Sequence, residues 1–180
     1  SFEIVDGVAV ITMDDRKVNA LSIAMQQAIN TAFAVSSERP LALVVMRGGL
    51  IFAGHLLPQL GFPVDVDYVD ATRYGTATRG GELAWRGGIP DSVAGRIVLL
   101  IDDILDSGLT LDRTRAHAKK LGARTVQICV LLSKKRKRVR TVKARWVGFS
   151  IKDEFVVGYG LDLDQRYRAL PSIRTLPSGV

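Results

Sequence analysis

Hydrophobic positions along the chain follow two periods. Leu41–Met46, the run from Ile97 to Ile101, and Thr125–Leu132 are apolar stretches of strand length. Such runs read as strands buried on both faces of a parallel sheet. Elsewhere the apolar residues recur at helical spacing. Leu21, Met25, Ala28, Ile29, Ala32 and Phe33 predict a helix over 21–35, and further helices are predicted over 50–60 and about 111–121. Two short strands at 2–5 and 8–13 meet at Asp6-Gly7, which is a hairpin signal. Residues 63–70 alternate apolar and acidic, as a half-exposed strand does, and 82–85 and 146–151 read as further strands. Repeated strand, turn and helix predict an α/β fold: a central, mostly parallel sheet flanked by helices, with 1–180 as one domain.

The chemistry gathers where the apolar runs end. The run to Ile101 is expected to stop at the adjacent carboxylates Asp102 and Asp103, with Ile104 beyond them, and then Asp106-Ser107-Gly108-Leu109-Thr110 opens a helix. Ligands of open α/β sheets bind beyond the carboxyl ends of the strands. There a loop and a helix N-terminus offer free N–H donors and a positive dipole end to an anion. Small Ser107 and Gly108 let backbone curl around a phosphate, while paired acids suit sugar hydroxyls or a phosphate-bound Mg²⁺. A sugar phosphate satisfies both halves. The run to Met46 ends similarly, at Arg47-Gly48-Gly49 before a helix. That predicts a second anion site on the same sheet edge, although a Gly-Gly turn also arises for steric reasons alone.

The stretch 96–110 closely resembles the motif that binds phosphoribosyl pyrophosphate in the type I phosphoribosyltransferases. The tail Val147-Gly-Phe, Phe155-Val-Val-Gly-Tyr159 and Leu161-Asp162 to Arg168 resembles the 6-oxopurine (hypoxanthine-guanine) branch of that family. Together the likeness covers roughly residues 41–171. It implies the type I phosphoribosyltransferase fold, with a small hood built from the chain ends. It also implies transfer of a phosphoribosyl group to hypoxanthine or guanine, with Mg²⁺ as cofactor and a homodimer or homotetramer as the assembly.

Carried onto this chain, the resemblance gives Asp102 and Asp103 the ribose hydroxyls and residues 106–110 the 5′-phosphate. Asp106 is the catalytic base beside N7. Arg47, Gly48 and Arg168 hold pyrophosphate, and Asp162 binds Mg²⁺ or its waters with Asp102 and Asp103 nearby. Lys134 donates to the purine 6-oxo group, Phe155 stacks on the ring, and Ile104, Val156 and Leu161 line the base pocket. Arg73 and Tyr74 fall in a Gly- and Thr-rich stretch, 71–81, where the family has a mobile closing loop; a plain hairpin is the alternative there. Arg47 and Leu109 stand where relatives usually have lysine, Asp102 where many have glutamate, and Arg73 where a serine is usual.

Charge sharpens the picture at one place. The net charge of +7 resides in residues 134–145, where eight cations occur without an acid, leaving 17 basic against 18 acidic residues elsewhere. Lys134 aside, these read as a solvated or subunit-facing surface, while RNA binding on a phosphoribosyltransferase scaffold is the alternative from another class. A xanthine or pyrimidine substrate is the alternative within the family. The lone Cys129 excludes an internal disulfide and fits a reducing, cytoplasmic setting. No membrane span or secretory signal is expected. Residues 1–36 locally resemble the start of enoyl-CoA hydratase-like proteins, through Gly7-Val-Ala-Val-Ile-Thr12 and Asn19-Ala-Leu-Ser22, without implying acyl-CoA chemistry.

Overall fold

The computed structural model describes residues 2–5, 8–11, 23–33, 39–74, 82–138 and 141–176. In chain order the elements are β1 (Phe2–Val5), β2 (Val8–Ile11), α1 (Ile23–Phe33), β3 (Leu41–Met46), α2 (Gly49–Leu56), β4 (Asp65–Tyr74) and β5 (Glu82–Arg86). They continue with β6 (Ile97–Leu105), α3 (Leu109–Lys120), β7 (Thr125–Lys134), β8 (Trp146–Ile151), β9 (Val156–Val157) and β10 (Ile173–Thr175).

The central sheet has six strands in the order β5-β4-β3-β6-β7-β8. Every pairing is parallel except β4 with β5, which is an antiparallel hairpin joining Asp70–Tyr74 to Glu82–Arg86. Because both faces are covered, the inner strands β3, β6 and β7 carry long apolar runs, and each alternates between two cores. Ala42, Val44, Leu99, Ile101, Cys129 and Leu131 face one core with Met25, Ile29 and Phe33 of α1 and Phe52 and Leu56 of α2. Leu41, Leu43, Val45, Val98, Leu100, Ile128 and Val130 face the other, with Leu111 and Ala118 of α3.

A second, four-stranded antiparallel sheet, β1-β2-β10-β9, joins the two ends of the chain. It forms the expected hood. Its β2 pairs with β10, and α1 packs in the same core as Val156, Tyr159, Leu161 and Ile173. The opening hairpin and helix are thus joined to the same fold, and their likeness to enoyl-CoA hydratase-like proteins is only local.

Three boundaries differ from expectation. β6 does not stop at the acidic pair but runs through Asp102 and Asp103 to Leu105. Both aspartates are buried, at 6% and 9% exposure, so the ladder continues where charge alone argues for a break. β4 extends four residues past Asp70 to Tyr74, which places Arg73 and Tyr74 in a strand rather than a loop. Their side chains and residues 75–81 lie outside the described residues. Finally, α2 closes at Leu56 and a 3₁₀ turn, Leu57–Gln59 with Pro58, replaces the rest of the expected helix.

Candidate active site

β3 and β6 are neighbours, yet the chain leaves them in opposite directions, from β3 through α2 to β4 and from β6 through α3 to β7. The crevice at their carboxyl ends is a topological switch point. The ladder between them ends at Val44 with Ile101, whereas β6 continues alongside β7 to Leu105. The acidic pair therefore lies where β3 has already turned away at Arg47-Gly48. A cavity of about 490 Å³ opens there.

Its floor is the end of β6. The backbone N–H of Asp103 donates to Asp102 Oδ1 at 2.9 Å. Burial raises the Asp103 carboxyl above its ordinary range, offset in part by a side-chain hydrogen bond with Asp102, the Ile104 amide and the charge of Arg168, and reinforced by the nearby Asp162.

One end of the cavity is the 106–110 turn. Gly108 has φ of 80°, in the left-handed region open to glycine, and this conformation turns the chain from strand into α3. The first ladder bond of α3 runs from Asp112 N to Gly108 O at 2.9 Å, so the amides of residues 109–111 precede the ladder. The Leu109 amide approaches Ser107 Oγ at 3.5 Å. Asp106, Ser107, Gly108 and Thr110 line the cavity. Leu109, expected in this turn and standing where relatives usually have lysine, is not among the lining residues.

A further wall comes from the end of β7 and the segment leading into β9. Lys134, the last residue of β7, is 8% exposed. Its Nζ lies 3.5 Å from Asp106 Oδ2 and 3.8 Å from Asp153 Oδ1. A buried ammonium persists only beside such partners. Phe155 lines the cavity while remaining 49% exposed, so it is not a core phenylalanine. Val156 and Leu161 are buried behind it.

At the third side, Arg168 donates to Gly160 O at 2.6 Å and pairs with Asp162 Oδ1 at 2.9 Å. The Gln165 amide donates to Asp162 Oδ2 at 2.8 Å, and Arg47 Nη1 donates to Gln165 Oε1 at 3.2 Å. Gln165 thus joins the two arginines that sequence reading singles out. It was missed because a lone glutamine in a polar turn carries no local signal.

Asp102, Asp103, Ile104, Asp106, Ser107, Gly108, Thr110, Arg47, Gly48, Lys134, Phe155, Val156, Leu161, Asp162 and Arg168 all border this cavity. The basic run is partly engaged within the molecule. Arg136 binds Asp106 at 2.9 Å, Arg138 donates to Ser133 Oγ at 2.7 Å, and Arg145 lies 4.9 Å over the Trp146 ring. Three of its cations therefore have intramolecular partners, while Arg136 and Arg145 stay exposed at the surface.

With this geometry in place, comparison with known proteins is informative. Residues 18–164 match the model of the phosphoribosyl transferase domain. The chain is 40% identical over 142 residues to the hypoxanthine-guanine phosphoribosyltransferase of Bacillus subtilis, covering 78% of this chain and 79% of that one. It is 32% identical over 166 residues to the hypoxanthine phosphoribosyltransferase of Salmonella typhimurium, covering 91% and 92%. Among solved structures, a hypoxanthine-guanine phosphoribosyltransferase from Bacillus anthracis superposes with a TM-score of 0.74 at 31% identity, over 85% of this chain and 88% of that one. A variant of the hypoxanthine phosphoribosyltransferase from Trypanosoma cruzi, in a ternary complex with substrates, gives 0.77 at 28% identity, over 86% and 88%.

Proposed function

The chain belongs to the phosphoribosyl transferase family, and from that premise we propose that it is a purine-salvage enzyme. It transfers the 5-phosphoribosyl group of phosphoribosyl pyrophosphate to N9 of hypoxanthine or guanine, giving IMP or GMP and pyrophosphate. The observation that supports this reading is one cavity lined together by the turn that starts α3, two buried acids, a buried lysine and an exposed phenylalanine.

The roles follow from the chemistry at each wall. Amides and hydroxyls of residues 106–110 hold the 5′-phosphate at the positive end of α3. Asp102 and Asp103 take the ribose hydroxyls and fix the sugar for attack at C1′. Arg47, Gly48 and Arg168 receive the pyrophosphate, whose charge grows as it departs. Phe155 supplies a flat apolar face for the purine, with Ile104, Val156 and Leu161 around it. Lys134 donates to the 6-oxo group, a contact that a 6-amino group cannot accept. Asp106, at the boundary of the base and phosphate subsites, holds or takes the purine proton. Arg73 and Tyr74 are proposed to close the site.

The donor set also suits Mg²⁺. The described residues hold no group of three or more acidic, histidine or cysteine side chains arranged as a metal cage. Mg²⁺ needs none, because it binds through few carboxylates and keeps water and substrate oxygens. Asp162, with Asp102 and Asp103 nearby, would hold it, and when bound it would neutralise pyrophosphate charge. Among the described residues no helix is long and apolar enough to cross a membrane. Cytoplasmic residence and a homodimer or homotetramer belong to the same proposal. Its test is turnover of hypoxanthine, guanine, xanthine and adenine with phosphoribosyl pyrophosphate and Mg²⁺. Turnover of the two 6-oxopurines hypoxanthine and guanine supports it, and activity confined to adenine, or to no base, overturns it.

A further inference from the structure

The basic run places one arginine at the base end of the cavity without lining it. Arg136 Nη1 lies 2.9 Å from Asp106 Oδ1 and 3.3 Å from Asp153 Oδ1, so its two hydrogens reach two carboxylates on different loops. Lys134 faces the same pair, at 3.5 Å from Asp106 Oδ2 and 3.8 Å from Asp153 Oδ1. Two cations and two anions make the cluster neutral, which leaves it compatible with an uncharged base alongside.

The placement of Arg136 is built into the backbone. The Lys135 amide donates to Ile151 O at 2.8 Å and the Arg136 amide to Lys134 O at 3.1 Å. Arg138 then clamps the segment back onto the end of β7, donating to Ser133 Oγ at 2.7 Å and to Lys134 O at 3.0 Å. The guanidinium is thereby held over Asp106 rather than extended into solvent.

We propose that Arg136 is a positioning residue of the base subsite: it orients the Asp106 carboxylate and, through Asp153, anchors the turn that presents Phe155. This rests on the reading that this end of the cavity receives the purine. Without Arg136, Asp106 retains, among the described residues, the longer contact to Lys134 at one oxygen, and a carboxylate held at one oxygen swings. Asp153 lies two residues before Phe155, so the same loss loosens the ring that stacks on the base. Neither change reaches the 107–110 amides or Arg47, and binding of phosphoribosyl pyrophosphate is spared.

The experiment is steady-state kinetics of Arg136→Ala, Arg136→Lys and Asp153→Asn, varying hypoxanthine and phosphoribosyl pyrophosphate separately, with melting temperatures alongside. For Arg136→Ala the KM for hypoxanthine rises about three- to tenfold and kcat falls, while the KM for phosphoribosyl pyrophosphate stays within about twofold, as expected for a half-exposed charge-assisted contact. Arg136→Lys recovers part of the loss, because an ammonium still reaches Asp106. Asp153→Asn raises the hypoxanthine KM in the same direction, and it carries the test should Arg136→Ala melt below the assay temperature. Unchanged hypoxanthine kinetics, equal rises in both KM values, or no recovery with lysine overturns the inference. Absence of turnover by the unaltered enzyme overturns the purine reading itself, and this inference with it.

Discussion

A Cβ placed on Gly48 would sit 1.8 Å from Asp103 Oδ2, so the turn after β3 and the acidic pair of β6 fit together only with glycine at 48. The packing continues one layer further. A Cβ on Gly160 would lie 2.2 Å from the Gly48 carbonyl oxygen, and Gly160 has φ of 101°. Hood, turn and strand end are thus stacked through two glycines. Gly48→Ala must drive a buried carboxylate aside, at a cost of about 1–3 kcal/mol of stability for overpacking. Its main effect is expected on the KM for phosphoribosyl pyrophosphate, since the displaced group is the one assigned to the ribose. Gly54→Ala is the control. It is exposed in α2 with nothing within 4 Å of its Cβ position, and it should stabilise by roughly 0.5–1 kcal/mol through helix propensity alone. Melting curves and KM values for the two variants separate close approach from backbone freedom.

Asp106 faces two cations, and its substitution separates chemistry from binding. Asp106→Asn keeps the shape of the turn and its phosphate amides. It removes the acceptor for the purine proton, so kcat should fall by about 10²–10⁴-fold, the usual worth of a general base. The KM for phosphoribosyl pyrophosphate should change far less. Unchanged turnover would remove Asp106 from the reaction.

Lys134 sets base selectivity in this reading. Lys134→Met fills the same buried space without the donor. A hydrogen bond from a charged group contributes about 1.5–3 kcal/mol, so kcat/KM for hypoxanthine should drop roughly 10–100-fold. Adenine, which gains nothing from the lysine, should be little affected, and the ratio between the two bases should shrink. Competition assays with both bases measure that ratio directly. An unchanged ratio would place the 6-oxo contact elsewhere.

These residues were legible because their environment is written locally. The runs over 41–46, 97–101 and 128–132 are apolar throughout, since both faces of the sheet are covered, and that fixes where the strands point. The motif at 106–110 shows itself because a strand, a Gly turn and a helix occur together. The misreading at Asp102 has a physical origin. A pair of carboxylates argues for a strand end, yet here β6 carries them onward buried, at the functional edge where local rules are expected to fail. β10 escaped notice because it is three residues long, Ile173–Thr175, and takes its place by pairing with β9 and with β2 near the other end of the chain. Arg136 and Arg138 were lost in a charge run, as nothing in their spacing says that one turns to Asp106 and the other to Ser133.

The opposite edge of the central sheet carries stability without chemistry, and Asp65 tests the division. Asp65 opens β4 and accepts from Arg96 Nη2 at 2.7 Å and Arg39 Nη1 at 3.2 Å. Arg96, just before β6, also donates to the carbonyls of Arg39 and Pro40 at 2.8 and 3.2 Å, beside the start of β3. One guanidinium therefore ties together the amino ends of three neighbouring strands. The hydrogen bond from Arg96 holds the Asp65 carboxyl below its ordinary range, with the Arg39 bond and both charges adding to it and desolvation opposing. A depressed carboxyl contributes stability that is fully present above its unfolded value and is lost as pH falls through the folded one. Asp65→Asn should lower the melting temperature at neutral pH and narrow its gap to the unaltered protein as the medium is acidified below the ordinary carboxylate range. Added salt should narrow the neutral-pH gap as well, because the pair is partly exposed. Catalytic constants at the opposite edge should not change, since the cavity lies at the carboxyl ends of the strands. A fall in kcat with no change in melting temperature would mean that Asp65 serves the site rather than the sheet.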